Sequence, residues 1–163
     1  MQQREIFQAL TDEGVEYVLI GGLAAVVQGV SLITQDTDIC FRQSIDNCER
    51  LTRALARLEA EIYPIRTNFI PITAELLLTY KLVLLKTKLG RLDLIAEVPG
   101  LGAFEDLADG AATIELGDLT IPVLTLEQLI QAKSALNKPK DREHLDQLLA
   151  IRDIRKEQEG KDD

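Results

Sequence analysis

The sequence predicts a single α+β domain with a helical C-terminal third, and three observations carry that expectation. The chain has 163 residues, the length of one ordinary domain, and 46% of them are hydrophobic. Burial of roughly two thirds of the unfolded surface is expected at this size, so neither disulfides nor a structural metal is needed. Short β-branched runs alternate with helical spacings up to residue 124, after which the strand signals stop. No internal repeat or long linker intervenes, so residues 1–155 read as one domain and 156–163 as a polar, frayed tail.

The elements follow in order. Ile6, Phe7 and Leu10 lie at helical spacing and Gly14 closes that helix. Val15 to Ile20 is apolar and β-branched, a buried strand that stops at Gly21-Gly22; Leu23 to Gln28 then reads as a short helix ended by Gly29. Asp36 to Arg42 alternates as a strand, and Asp46 with Glu49 marks the capped start of a helix through Leu51, Leu55 and Leu58. Pro64 and Pro71 break up the next segment. Lys81–Thr87 and Arg91–Ala96 form a hairpin turning near Leu89-Gly90, and Ala111–Leu116 with Leu119–Leu124 forms another. Thr125 and Gln128 make a capping box for a helix to about Leu136, and Pro139 opens a last helix to about Arg155. Glu97-Val98-Pro99-Gly100 reads as a loop at a cleft rim.

Charge removes several function classes. Lys and Arg number 18 against 27 Asp and Glu, a net charge of −9. A surface that grips nucleic acid needs clustered cations, and three Tyr, four Phe and no Trp make a poor base-stacking platform. An acidic protein handles phosphates only where a divalent metal mediates the contact. Cys40 and Cys48 fit neither a metal knuckle nor a redox motif and read as reduced thiols of a cytoplasmic protein. The start, Met1-Gln2-Gln3-Arg4-Glu5, lacks a secretory pattern; Tyr17–Ile33 is interrupted by glycines and polar residues and is not a membrane span.

Asp36 and Asp38 stand two apart in a predicted strand, so both side chains fall on one face. Alone, the pair reads first as a solvated strand edge; as hard oxygen ligands, the two acids would suit Mg²⁺. Asp93 sits within the apolar run Arg91-Leu92-Asp93-Leu94-Ile95, where an unpaired carboxylate is costly. It reaches the sheet edge or it has a cation, and with Asp36 and Asp38 it would complete a three-carboxylate site. The strand–Gly21-Gly22–helix arrangement lets backbone N–H groups approach an anion, although it is neither a Walker loop nor a dinucleotide fingerprint.

Gly21-Gly22 followed by Asp36-Thr37-Asp38-Ile39, with Gly90-Arg91-Leu92-Asp93-Leu94 downstream, resembles the signature of the nucleotidyltransferase superfamily that includes DNA polymerase β. The resemblance spans about residues 15–150 and is nearest to small bacterial nucleotidyltransferase-like proteins, including the abortive-infection type. Thr37 departs from the pattern, which has an aliphatic residue between the acids; the substitution is mild because Thr is also β-branched. The resemblance implies a small mixed or antiparallel sheet flanked by helices. It also implies that Gly21 and Gly22 hold nucleotide phosphates, that Asp36 and Asp38 bind Mg²⁺ (or Mn²⁺), and that Asp93 joins the metal site and helps activate an acceptor hydroxyl.

Lys133 falls on the apolar stripe of Leu126, Leu129 and Ile130, so it snorkels or points into a cleft holding an anion; the cleft, with a triphosphate, is the reading taken. Asp141 shares a face with Leu145 and Leu148 and would orient Lys133, although a first-turn Asp is equally explained by the helix dipole. Lys138, Lys140 and Arg142 form one basic cluster and Lys86, Lys88 and Arg91 another, the two places where a polyanion would meet this acidic chain. His144 reads as a surface residue. The functional expectation is metal-dependent transfer of an NMP from an NTP to RNA, a protein side chain or a small molecule. The competing expectation is a weakly catalytic or non-catalytic regulatory or toxin–antitoxin partner, engaging another protein or a second copy.

Overall fold

The computed structural model describes residues 3–64, 68–136 and 138–162. Part of the stretch between Pro64 and Pro71, and Met1, Gln2 and Asp163 at the ends of the predicted N-terminal and tail segments, lie outside the described residues. Helix α1 (Gln3–Asp12) buries Ile6, Phe7 and Leu10, and Gly14 turns the chain at φ +69° into β1 (Tyr17–Ile20). Helix α2 (Gly21–Val27) starts on the glycines themselves, two residues earlier than expected. Strand β2 (Thr37–Phe41) leads to α3 (Ile45–Arg57), whose cap is Ser44 accepting from the Asn47 amide, not Asp46, which stands in the first turn.

Asn47 has a larger task. Fully buried, it donates Nδ2 to the carbonyls of Glu16 (2.9 Å) and Arg42 (2.8 Å) and accepts from the Glu16 amide (2.7 Å). It thus ties α3 to the ends of β1 and β2 remote from Gly21 and Asp38, satisfying backbone groups that burial would otherwise orphan.

Strand β3 (Glu61–Ile62) precedes Pro64 and helix α4 (Ala74–Thr79) follows Pro71; neither has a counterpart in the sequence reading. Their shortness explains the miss: two and six residues are too few to show a period. The expected hairpin is β4 (Leu82–Thr87) and β5 (Gly90–Ile95). Glu97–Gly100 is not a plain rim loop. β6 (Glu97–Val98) pairs with β7 (Gly102–Ala103), α5 (Phe104–Ala108) follows, and the Gly100 carbonyl accepts from Gln131 at 2.8 Å. The second hairpin, β8 (Ala112–Leu116) and β9 (Leu119–Val123), precedes α6 (Leu126–Ala135), which has the predicted Thr125–Gln128 box. Helix α7 (Pro139–Asp162) runs on through the segment expected to fray, because Lys, Glu and Gln are good helix formers even when fully solvated.

Among the described residues, seven strands form one mixed sheet in the order β3-β4-β5-β2-β1-β9-β8. β1 is antiparallel to β2 and parallel to β9, while β2 is parallel to β5. Thr37, Ile39 and Phe41 of β2 and Leu92 and Leu94 of β5 are fully buried on one face; Asp38 and Asp93 belong to the other. No helix among the described residues is long and apolar enough to cross a membrane. Cys40 and Cys48 are both buried free thiols, and burial pushes Cys40 up to about 12, so neither is poised as a nucleophile.

Candidate active site

The parallel pairing of β2 with β5 sets Asp38 directly opposite Asp93, and the antiparallel pairing of β1 with β2 sets Ile20 opposite Asp38. The glycine turn therefore begins one residue from the register neighbour of Asp38. Gly21 has φ +69°, and a Cβ placed there would overlap an Asp38 carboxylate oxygen and lie 3.0 Å from the Asp38 Cβ. Only glycine lets the turn and the acid share this space. Gly22 has more room: a Cβ there would lie 3.2 Å from the tip of Leu32. Ile20, at the N-cap of α2, supplies no side-chain acceptor to the first-turn amides.

Burial and the facing charge of Asp93, which is also within hydrogen-bonding reach, push Asp38 up to about 7; Asp36 adds to the repulsion and Arg91 opposes it. Asp36 lies one residue before β2, exposed, with its amide 3.3 Å from Thr34 Oγ1. It acts on Asp38 through space. Among the described residues no three His, Cys, Asp or Glu side chains are gathered closely enough to hold a metal ion by themselves. The structure brings Asp38 and Asp93 into contact and leaves Asp36 beside them. Two hard carboxylates held against each other nevertheless fit Mg²⁺, which takes one or two protein carboxylates and completes its shell with water and substrate phosphate.

Arg91 of the basic hairpin cluster has Asp93 as its partner. Nη2 lies 2.9 Å and 3.2 Å from the two carboxylate oxygens, and the guanidinium stacks 4.0 Å from the centroid of the Tyr63 ring. The two-residue strand spacing was the available signal for the ion pair. Nothing local foretold Tyr63.

Lys133 and Asp141 are joined, as the shared helix faces suggested: Nζ to Oδ1 is 3.0 Å, across the junction of α6 and α7. Lys133 holds the buried Asp141 carboxyl below its ordinary range, and Asp141 Oδ2 has no hydrogen-bond partner. No described contact joins this pair to Asp36, Asp38 or Asp93; α6 reaches the site region by packing on α2. Lys140 is exposed in the first turn of α7, and His144 is half-buried.

Thr37 is a sharper departure than its shape suggested. It is fully buried and its hydroxyl has no hydrogen-bond partner. Thr37→Val keeps the branching and removes the orphaned group, and is expected to raise stability by about 1 kcal/mol. Urea unfolding checks this; a lower midpoint for the variant would contradict the assignment.

A glycine turn after one central strand, facing acids on the next two, set in this mixed sheet, defines a nucleotidyltransferase fold. Solved structures share it. The chain is similar to a nucleotidyltransferase candidate of Thermotoga maritima at 21% identity and TM-score 0.56, over 90% of this chain and 89% of the other. It is also similar to the lincomycin-bound lincosamide antibiotic adenylyltransferase LnuA (18% identity, TM-score 0.59, 92% and 96% covered). A third likeness is to ANT(2″)-Ia in complex with adenylyl-2″-tobramycin (14% identity, TM-score 0.57, 90% and 85% covered). At these identities the shared property is the fold. No protein-family profile and no curated protein matches the chain.

Proposed function

We propose that the protein is a metal-dependent nucleotidyltransferase that moves an NMP from an NTP to an acceptor hydroxyl. The observation that carries this reading is the confrontation of Asp38 and Asp93 beside the Gly21 turn, with Asp38 pushed up to about 7. Two carboxylates held against each other at a cost are a common mark of a functional site. The likeness in fold to two proteins whose structures hold an antibiotic or an adenylylated antibiotic supports it further.

Asp38 and Asp93, with Asp36 beside them, would hold Mg²⁺ or Mn²⁺, which when bound supplies positive charge against the triphosphate and acidifies the attacking hydroxyl. The backbone of Gly21-Gly22 approaches the phosphates closely because no side chain intervenes. Asp93 takes the acceptor's proton as the acceptor oxygen bonds to the α-phosphorus. The bond from that phosphorus to the bridging oxygen breaks, and pyrophosphate leaves. Lys133, oriented by Asp141, is assigned to the outgoing phosphates, with Lys140 adding charge nearby.

The test is incorporation of label from an α-phosphate-labelled NTP, with Mg²⁺, into an extract of potential acceptors. Asp38→Ala is expected to lose more than about 100-fold of the transfer; equal transfer by this variant overturns the mechanism. One observation favours the regulatory-partner reading instead, namely that Arg91 already neutralises Asp93. Calorimetry separates the two, because a partner protein of that kind would show no Mg²⁺-dependent NTP binding.

A further inference from the structure

A cavity of about 450 Å³ opens beside the carboxylates, with Gln35, Asp36, Tyr63, Lys86, Gly90 and Arg91 among its walls. That volume suits a small molecule. The sheet order decides what it can be. Gly21 follows β1, while Lys86 and Arg91 come from β4 and β5 and Tyr63 follows β3; β2, bearing Asp38, lies between β1 and β5. Phosphates seated on the Gly21 side leave this cavity on the opposite side of Asp38 and Asp93. In-line displacement requires the attacking hydroxyl to enter opposite the leaving group.

The walls also select by charge. Lys86 and Arg91 are register partners across the β4–β5 pair, so their side chains stand side by side on one face. Arg91 spends part of its charge on Asp93, whereas Lys86 has no carboxylate partner among the described residues. Even Glu61, its register neighbour on β3, forms no ion pair with it. Asp36 stands in the same wall, so Lys86 is the cation left over there on a chain of net charge −9. An ammonium with no carboxylate against it attracts a phosphate or carboxylate and disfavours the ammonium groups of an aminosugar. Tyr63, held by Arg91, offers its ring to a sugar or a flat group.

We propose that this cavity is the acceptor subsite and that it takes a small hydroxyl compound bearing an anionic group, which rests on the nucleotidyltransferase reading above. Ribose 5-phosphate is the probe, titrated into the full chain with Mg²⁺ and α,β-methylene-ATP and followed by the Tyr63 ring signal in NMR, assigned with Tyr63→Phe. The expected result is saturable binding, at least tenfold weaker in Lys86→Glu and unchanged in Lys161→Glu, which makes the same charge change at the far end of α7. Tobramycin should leave the Tyr63 signal unmoved. No saturable change at Tyr63, equal affinity in Lys86→Glu, or displacement of ribose 5-phosphate by equimolar tobramycin overturns the assignment. The nucleotide analogue is titrated separately. If the wild type does not bind it, the transfer reading fails and the acceptor role goes with it. If it binds and ribose 5-phosphate does not, only the cavity assignment fails.

Discussion

Asp38→Asn is expected to stabilise the metal-free protein at pH 8 while abolishing Mg²⁺-dependent transfer. The Asp38 carboxyl holds its proton in the folded state up to about pH 7, against an ordinary value of 3.8 in the unfolded chain. Between those values the folded state binds more protons, so stability falls as pH rises and levels off above pH 7. The ceiling on this loss is about 4 kcal/mol. Asparagine reproduces the neutral form and removes the slope. Asp12 and Asp141, held low chiefly by Arg57 and Lys133, act in the opposite sense, contributing stability that is lost only as pH falls below the ordinary carboxylate range. They therefore lie outside this window, and they cancel when parent and variant are compared at each pH. Urea midpoints from pH 4.5 to 8 check the prediction: the curves should converge at low pH and separate at high pH. Added Mg²⁺ should raise the parent at pH 8 and leave the variant unmoved. A variant that is destabilised at pH 8 would show that Asp38 is not held under repulsion.

Gly21→Ala is expected to damage both the fold and the site. The left-handed conformation at φ +69° costs a side-chain-bearing residue about 1–2 kcal/mol, and the new methyl must also displace the Asp38 carboxylate. A total loss of about 2–4 kcal/mol is expected, with transfer reduced more than about 100-fold because the acid leaves its position opposite Asp93. Gly22→Ala is the control. Its added carbon presses only on the flexible tip of Leu32 and makes ordinary contact with Thr34, so a loss below about 1 kcal/mol is expected. Thermal unfolding and the labelled-NTP assay distinguish the pair; equal behaviour of the two variants would remove the special role of Gly21.

Legibility in the sequence followed the range of the forces involved. The Thr125–Gln128 box, the Gly14 turn and both hairpins are local, set by capping geometry and a period of two, and the structure has each of them. Helical spacing puts Lys133 on the apolar face of its helix and Asp141 on that of the next, and the two meet in an ion pair at 3.0 Å. Local reading erred where several candidates competed for one role. Ser44 caps α3 although Asp46 stood nearby, and Glu97–Gly100 pairs into a two-stranded ribbon because Gly102–Ala103 returns alongside it. Strand β3 and helix α4 were too short to announce themselves, and the cavity wall bearing Tyr63 went unseen with them.

By itself the sequence determined the acids, their spacing, the glycines before them and the class of fold, since residue type and period are properties of a few adjacent positions. Only the tertiary structure decided that Asp93 stands opposite Asp38, that Asp36 stays just outside that contact, and that Arg91 occupies the third acid. Strand register between distant segments is set by which whole faces can be buried together: Thr37, Ile39, Leu92 and Leu94 go into the core, and the acids on the reverse face are carried into confrontation.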